Sequence, residues 1–127
     1  MDIAGTKRTP RILIDGSRGI FEMSGESMPE DLRSFFDPVL EELVKELANA
    51  PKIEARFSLI YFNSASARAI FDLIMRFDSW AGKGSSVKIF WIAAEDDDTM
   101  REYGEDFSIH IKHADLKILA ELEMAHG

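Results

Sequence analysis

The spacing of apolar positions changes several times along the chain, and each change marks an element. Two apolar runs, at 11–14 and 19–23, flank the stretch "DGSRG". Asp-Gly and the second glycine are turn signals, so this part reads as a β-hairpin. From Leu32 the apolar residues recur at Phe35, Phe36, Val39, Leu40, Leu43, Val44 and Leu47, the stripe of an amphipathic helix. Its start falls in "SGESMPED", where Ser27 and Glu30 have the spacing of a capping box. Pro38 is expected to kink or restart the helix, with Asp37 as a second cap. From Lys52 to Phe62 the period drops to two. Ile53, Ala55, Phe57, Leu59 and Tyr61 point one way, and Glu54, Arg56 and Ser58 the other. Ile60 and Phe62 then make the polar side apolar, so the end of this strand should be buried on both faces.

A small polar junction follows, Asn63-Ser64-Ala65-Ser66, and then a helix with a wide apolar side: Ile70, Phe71, Ile74, Met75, Phe77 and Trp80. Its narrow polar stripe is Arg68, Asp72 and Arg76, spaced to pair along the surface. The "GKG" after Ala81 ends it. "VKIFWI", at 87–92, is nearly all apolar and predicts a central strand covered on both faces. "EDDD" opens a third helix with the stripe Met100, Tyr103, Phe107 and Ile111, and "DLKILAEL" alternates as a last strand. The order β-β-α-β-α-β-α-β predicts an α/β fold, one mixed sheet with packed helices. Residues 1–10 carry no periodicity and read as a flexible leader, 11–123 as one domain and 124–127 as a tail.

Composition narrows the function. The 127 residues suit one domain, and 46% are hydrophobic, too many for a disordered chain. Acidic residues outnumber basic ones 23 to 15, for a net charge of −8, which argues against a nucleic-acid partner. No apolar run nears the length of a membrane span and no signal pattern opens the chain, so no membrane insertion and a cytoplasmic location are expected. Cysteine is absent, which removes disulfides, thiolate metal sites and a cysteine nucleophile.

Candidate chemistry is sparse. Glu95 to Asp98 offer oxygen ligands to a hard cation such as Mg²⁺, and a metal-dependent enzyme would have to use them. Acids in a first helical turn more simply complement the helix dipole, so no metal site is expected. His110, His113 and His126 have neither metal nor triad spacing, and the glycines form no phosphate cradle. The reading is therefore of a protein that is not an enzyme and needs no cofactor. Ser64 remains. It suits a helix cap, as do Asn63 and Ser66. It also lies four residues before Arg68, and a phosphate there would meet free N–H groups and the positive end of the dipole.

"SGESMPED", "FFDPVLEEL", "LIYFNSASA", "VKIFWIAAEDDDTM" and "YGEDF", in this order, resemble the SiaC family of bacterial regulatory phosphoproteins. The resemblance implies a fold similar to STAS domains. It also implies a phosphorylated hydroxyl after the junction asparagine, which here is Ser64. The family often has threonine followed by several serines, whereas Ser64 and Ser66 here alternate with alanines, which makes Ser66 the second candidate. A cognate serine/threonine kinase would add the phosphate and a PP2C-type phosphatase remove it. The unmodified form would bind and activate a diguanylate cyclase, promoting cyclic di-GMP signalling and biofilm growth; a STAS-like antagonist of an anti-sigma factor is the alternative. Asn63, Ser64, Arg68, Asp72 and Arg76, with Glu26 and Ser27 of the entrance loop, are the expected partner surface.

Overall fold

The expected elements form, and one more joins them. In the computed structural model, which describes residues 1–121, the order is β1 (Asp2–Ile3), β2 (Arg11–Asp15), β3 (Ile20–Ser27), α1 (Leu32–Leu47), β4 (Lys52–Phe62), α2 (Ser64–Gly82), β5 (Ser86–Ala93), α3 (Asp98–Ser108) and β6 (Asp115–Ala120). They build one mixed α/β domain, a six-stranded sheet with three helices. Residues 122–127, which include the expected tail at 124–127, His126 and the end of the predicted last strand, lie outside the described residues. The leader expected at 1–10 is not free of structure. Asp2 and Ile3 pair antiparallel with Leu13 and Ile12 and add an edge strand to the hairpin.

The sheet follows chain order, β1 to β6, with β3 to β6 mutually parallel. Three successive crossovers step in the same direction. Right-handed connections then place all three helices on one face, and the other face stays open. This overturns the expectation that 87–92 is covered on both sides. In β5, Val87, Ile89 and Trp91 are buried, Lys88 is exposed and Phe90 half-buried, and only from Trp91 onward is every residue buried. The covered face is built in rows across the strands. Ile12, Met23, Phe57, Trp91 and Ile118 make one, and Ile14, Phe21, Ala55, Ile89 and Leu116 the next. The open face carries an ion cluster in which Arg56 meets Glu22 at 3.6 Å and Glu54.

Two local expectations about α1 also change. Ser27 cannot cap the helix, because β3 continues through it opposite Phe62 and the helix begins only at Leu32. Asp31 is the cap: its carboxylate accepts from the Ser34 N–H at 3.2 Å and the Ser34 hydroxyl at 2.8 Å. The hydroxyl contact is the main reason its pKa lies below the ordinary aspartate value. Pro38 does not restart the helix, which runs unbroken. Pro38 and Ser34 are both exposed, so the carbonyl deprived of a donor faces water. Asp37 stays helical and pairs with Arg33 at 3.6 Å.

Candidate functional site

The end of β4 departs from strict alternation, and this shapes the site. Gly25 of β3 pairs with Leu59 but Glu26 pairs with Tyr61, so Ile60 is the extra residue of a β-bulge. The insertion reverses the alternation. Phe62 turns inward at 6% exposure, while Tyr61 and Ile60, expected in the core, are 51% and 71% exposed. The chain then enters α2 through Asn63.

Asn63 is the helix cap. Its side-chain oxygen accepts from the Ser66 N–H at 2.9 Å, and its carbonyl accepts the first helical bond, from Ala67, at 2.9 Å. The N–H groups of Ser64 and Ala65 precede that bond and are among the orphan donors of a helix start. Two serines a residue apart then have opposite fates. Ser64 is exposed, whereas Ser66 is fully buried and accepts a hydrogen bond from the Ser27 hydroxyl at 2.9 Å. The Ser27 carbonyl also accepts from the Asn63 N–H at 3.3 Å, so the end of β3 is tied to the start of α2. Ser27 thus belongs to the core and offers nothing to a partner in this state. Ser66, the second candidate for modification, is closed to an enzyme in the same way. Glu26 is half-buried beside the bulge.

Ser64 stands on the wall of a cleft of about 480 Å³ between the starts of α2 and α3. Ile60, Tyr61, Asp97, Thr99 and Tyr103 complete it. The opposite wall is fixed by α3, which Asp97 caps by accepting from the Met100 N–H at 3.0 Å. Trp91 holds the same helix from below, its indole N–H donating to the Met100 carbonyl at 2.8 Å. Gly104 allows this, since a Cβ there would overlap the Trp91 ring. Two acids of the run have local roles, Asp97 in the cap and Asp98 paired to Arg101 at 2.7 Å. Among the described residues no three acidic or histidine side chains gather as a metal site. His110 packs edge-on against Phe71, with ring centroids 5.2 Å apart.

The polar stripe of α2 is exposed as expected. Arg68 and Asp72 pair at 3.4 Å, and with Arg76 they border a groove shared with α1. One polar residue of α2 escaped the sequence reading. Asp78 is buried, at 4% exposure, and accepts from the backbone N–H groups of Lys112, His113 and Ala114, the last two at 2.7 and 2.8 Å. Burial by itself pushes its pKa up. The three backbone hydrogen bonds outweigh that, and its pKa lies below the ordinary aspartate value. The available signal was an acid set between Phe77 and Trp80 on the apolar side of the helix.

Residues 3–121 match the SiaC family regulatory phosphoproteins, and the chain belongs to that family. An uncharacterised protein of Pseudomonas aeruginosa (strain UCBPP-PA14) is 28% identical over 108 residues, 84% of this chain and 86% of the relative. Among solved structures, the chain is similar to one in the crystal structure of the diguanylate cyclase SiaD in complex with its activator SiaC from Pseudomonas aeruginosa. The TM-score is 0.88 at 26% identity, covering 95% of this chain and 99% of the other. Apo-SiaC from the same organism gives a TM-score of 0.84 at 27% identity, covering 94% and 98%. No helix among the described residues is long and apolar enough to cross a membrane.

Proposed function

We propose that this protein is a non-enzymatic phosphoswitch of the bacterial cytoplasm. Unphosphorylated, it binds and activates a diguanylate cyclase. A dedicated serine/threonine kinase modifies Ser64, and a PP2C-type phosphatase reverses the modification. The observation that carries this reading is the contrast at the start of α2, where Ser64 is exposed and Ser66 is sealed against Ser27. The likeness to the SiaD–SiaC complex supports the cyclase as effector. A phosphate adds a charge of about −1.5 to −2, which the dipole and the free N–H groups of Ser64 and Ala65 favour. Folding therefore tolerates it. A partner packed over Asn63 and Ser64 would instead have to bury that charge, which costs about 3–5 kcal/mol where no cation matches it.

The test is cyclic di-GMP synthesis by the cognate cyclase with purified protein added. Wild type and Ser64→Ala should both activate it, and protein carrying phosphoserine at 64 should not. Ser64→Asp, with less charge, should be intermediate. A cyclase indifferent to unmodified protein rules out the effector, and a kinase that labels Ser64→Ala as well as wild type rules out the site.

A further inference from the structure

Ile60 and Tyr61 are adjacent large side chains turned out of the fold, and the bulge holds them there, since strict alternation would send Tyr61 into the core. Ile60 stands between two hollows. On one side is the cleft that holds Ser64, and on the other a smaller one of about 80 Å³ over Ser58 and Ile92. Asp97 borders both and Glu121 the smaller, while Glu95 and Asp96 are exposed in the loop that leads to Asp97. Among the described residues that line the two hollows none is basic. The projection is thus apolar at its centre and acidic at its rim. Ser64 itself is fixed in the fold. It is the first residue of α2, directly after β4, and Asn63 before it is bonded to Ser27 and Ser66. An enzyme cannot draw this segment out as an extended peptide without breaking the cap and the end of β4. It has to recognise Ser64 in place, through the side chains beside the cleft.

We propose that the Ile60–Tyr61 projection is the docking point of the kinase that modifies Ser64, and that the kinase meets it with an apolar pocket rimmed by Lys or Arg. The proposal rests on the proposed function for Ser64 as the modified residue. A paired apolar patch with a charged rim has the make-up of a protein contact. Docking on Ile60 leaves the Ser64 hydroxyl uncovered on the wall of the cleft. The γ-phosphoryl group of ATP passes to Ser64 Oγ, the hydroxyl proton goes to a base of the kinase, and ADP leaves. A basic rim also screens the ATP phosphates from Asp97 and its neighbours, which would otherwise repel them.

Initial rates of Ser64 labelling by the purified cognate kinase, at saturating ATP, test this with the full chain. Ile60→Asp should raise KM for the protein about tenfold, the worth of one buried aliphatic side chain, and leave kcat nearly unchanged. Ile60→Leu should restore wild-type KM. Glu95→Lys with Asp96→Lys should raise KM at low salt and less at high salt. Ile109→Asp, at an equally exposed side chain beyond the far end of α3, should have no effect. Tyr61→Ser gives a second reading if Ile60→Asp loses its urea transition, and should also raise KM. An unchanged KM in the folded variants overturns the proposal, as does a rise that Ile109→Asp matches. Unmodified Ile60→Asp should activate the cyclase as wild type does. Lost activation with labelling intact gives the projection to the effector and overturns the proposal. Calorimetric binding of the kinase to Ser64→Ala separates the two readings. A kinase that binds through Ile60 but labels another residue overturns the proposed site and not the docking point. One that labels Ser64 with a KM indifferent to Ile60 overturns the docking point alone, and one that neither binds nor labels overturns both.

Discussion

The two ends of α2 handle polar groups in opposite ways. Near its last turn, Asp78 brings a charge into the protein and surrounds it with three backbone donors, so that one carboxylate fixes the loop leading into β6. At its first turn the buried hydroxyls of Ser27 and Ser66 satisfy each other, and Ser64 is left outside. A buried charge is tolerable only when its partners are built in. The far end of the helix has those partners, and the near end has orphan donors and open solvent instead. The same helix thus carries a permanent charge where the fold depends on it and, in the proposed function, a place for a removable one where the fold does not.

The contrast can be broken most strongly at Asp78. Asp78→Ala removes a buried carboxylate that serves three backbone N–H groups and should lower the unfolding free energy by about 3 kcal/mol, read from urea denaturation. A loss below about 1 kcal/mol would mean that water replaces the carboxylate. The pH dependence has a defined sign. A carboxylate whose folded pKa is lowered contributes stability that is fully present above its unfolded pKa, about 3.9, and is lost as pH falls through the folded value. Wild type should therefore lose stability on acidification below about pH 4 more steeply than Asp78→Asn.

At the other end the effects should shrink in order. Ser66→Ala leaves the Ser27 hydroxyl without its acceptor and should cost about 1–2 kcal/mol. The double variant with Ser27→Ala should be more stable than the sum of the two singles implies, because no orphan remains. Asn63→Ala removes a cap and should cost about 1 kcal/mol in thermal or urea unfolding. Ser64→Ala should change stability by less than about 0.5 kcal/mol while abolishing labelling by the proposed kinase. A large loss of stability there would place Ser64 with the structural residues of α2 and erase the contrast.

Much of this arrangement could be read from residue order. The period of three to four from Leu32 to Leu47, and of two from Lys52 to Leu59, set helix and strand directly, because each stripe has one way to face a core. The polar junction at Asn63 placed the start of α2 for the same local reason, since capping needs only residues three apart. Other features depended on neighbours distant in the chain. "VKIFWI" looked covered on both faces, but the shared direction of three crossovers left one face open. Tyr61 looked inward until the pairing of β4 with Glu26 inserted a bulge. Ser27 had the spacing of a cap and became a core residue because β3 extends through it. Ser64 and Ser66 both looked like ordinary helix-start serines. Only the approach of Ser27, thirty-nine residues away, decides which of them is buried, and only the loop before β6 supplies the donors that make Asp78 an anchor. Periodicity records what a residue needs from its own helix or strand, whereas burial and satisfaction record what the rest of the sheet brings to it.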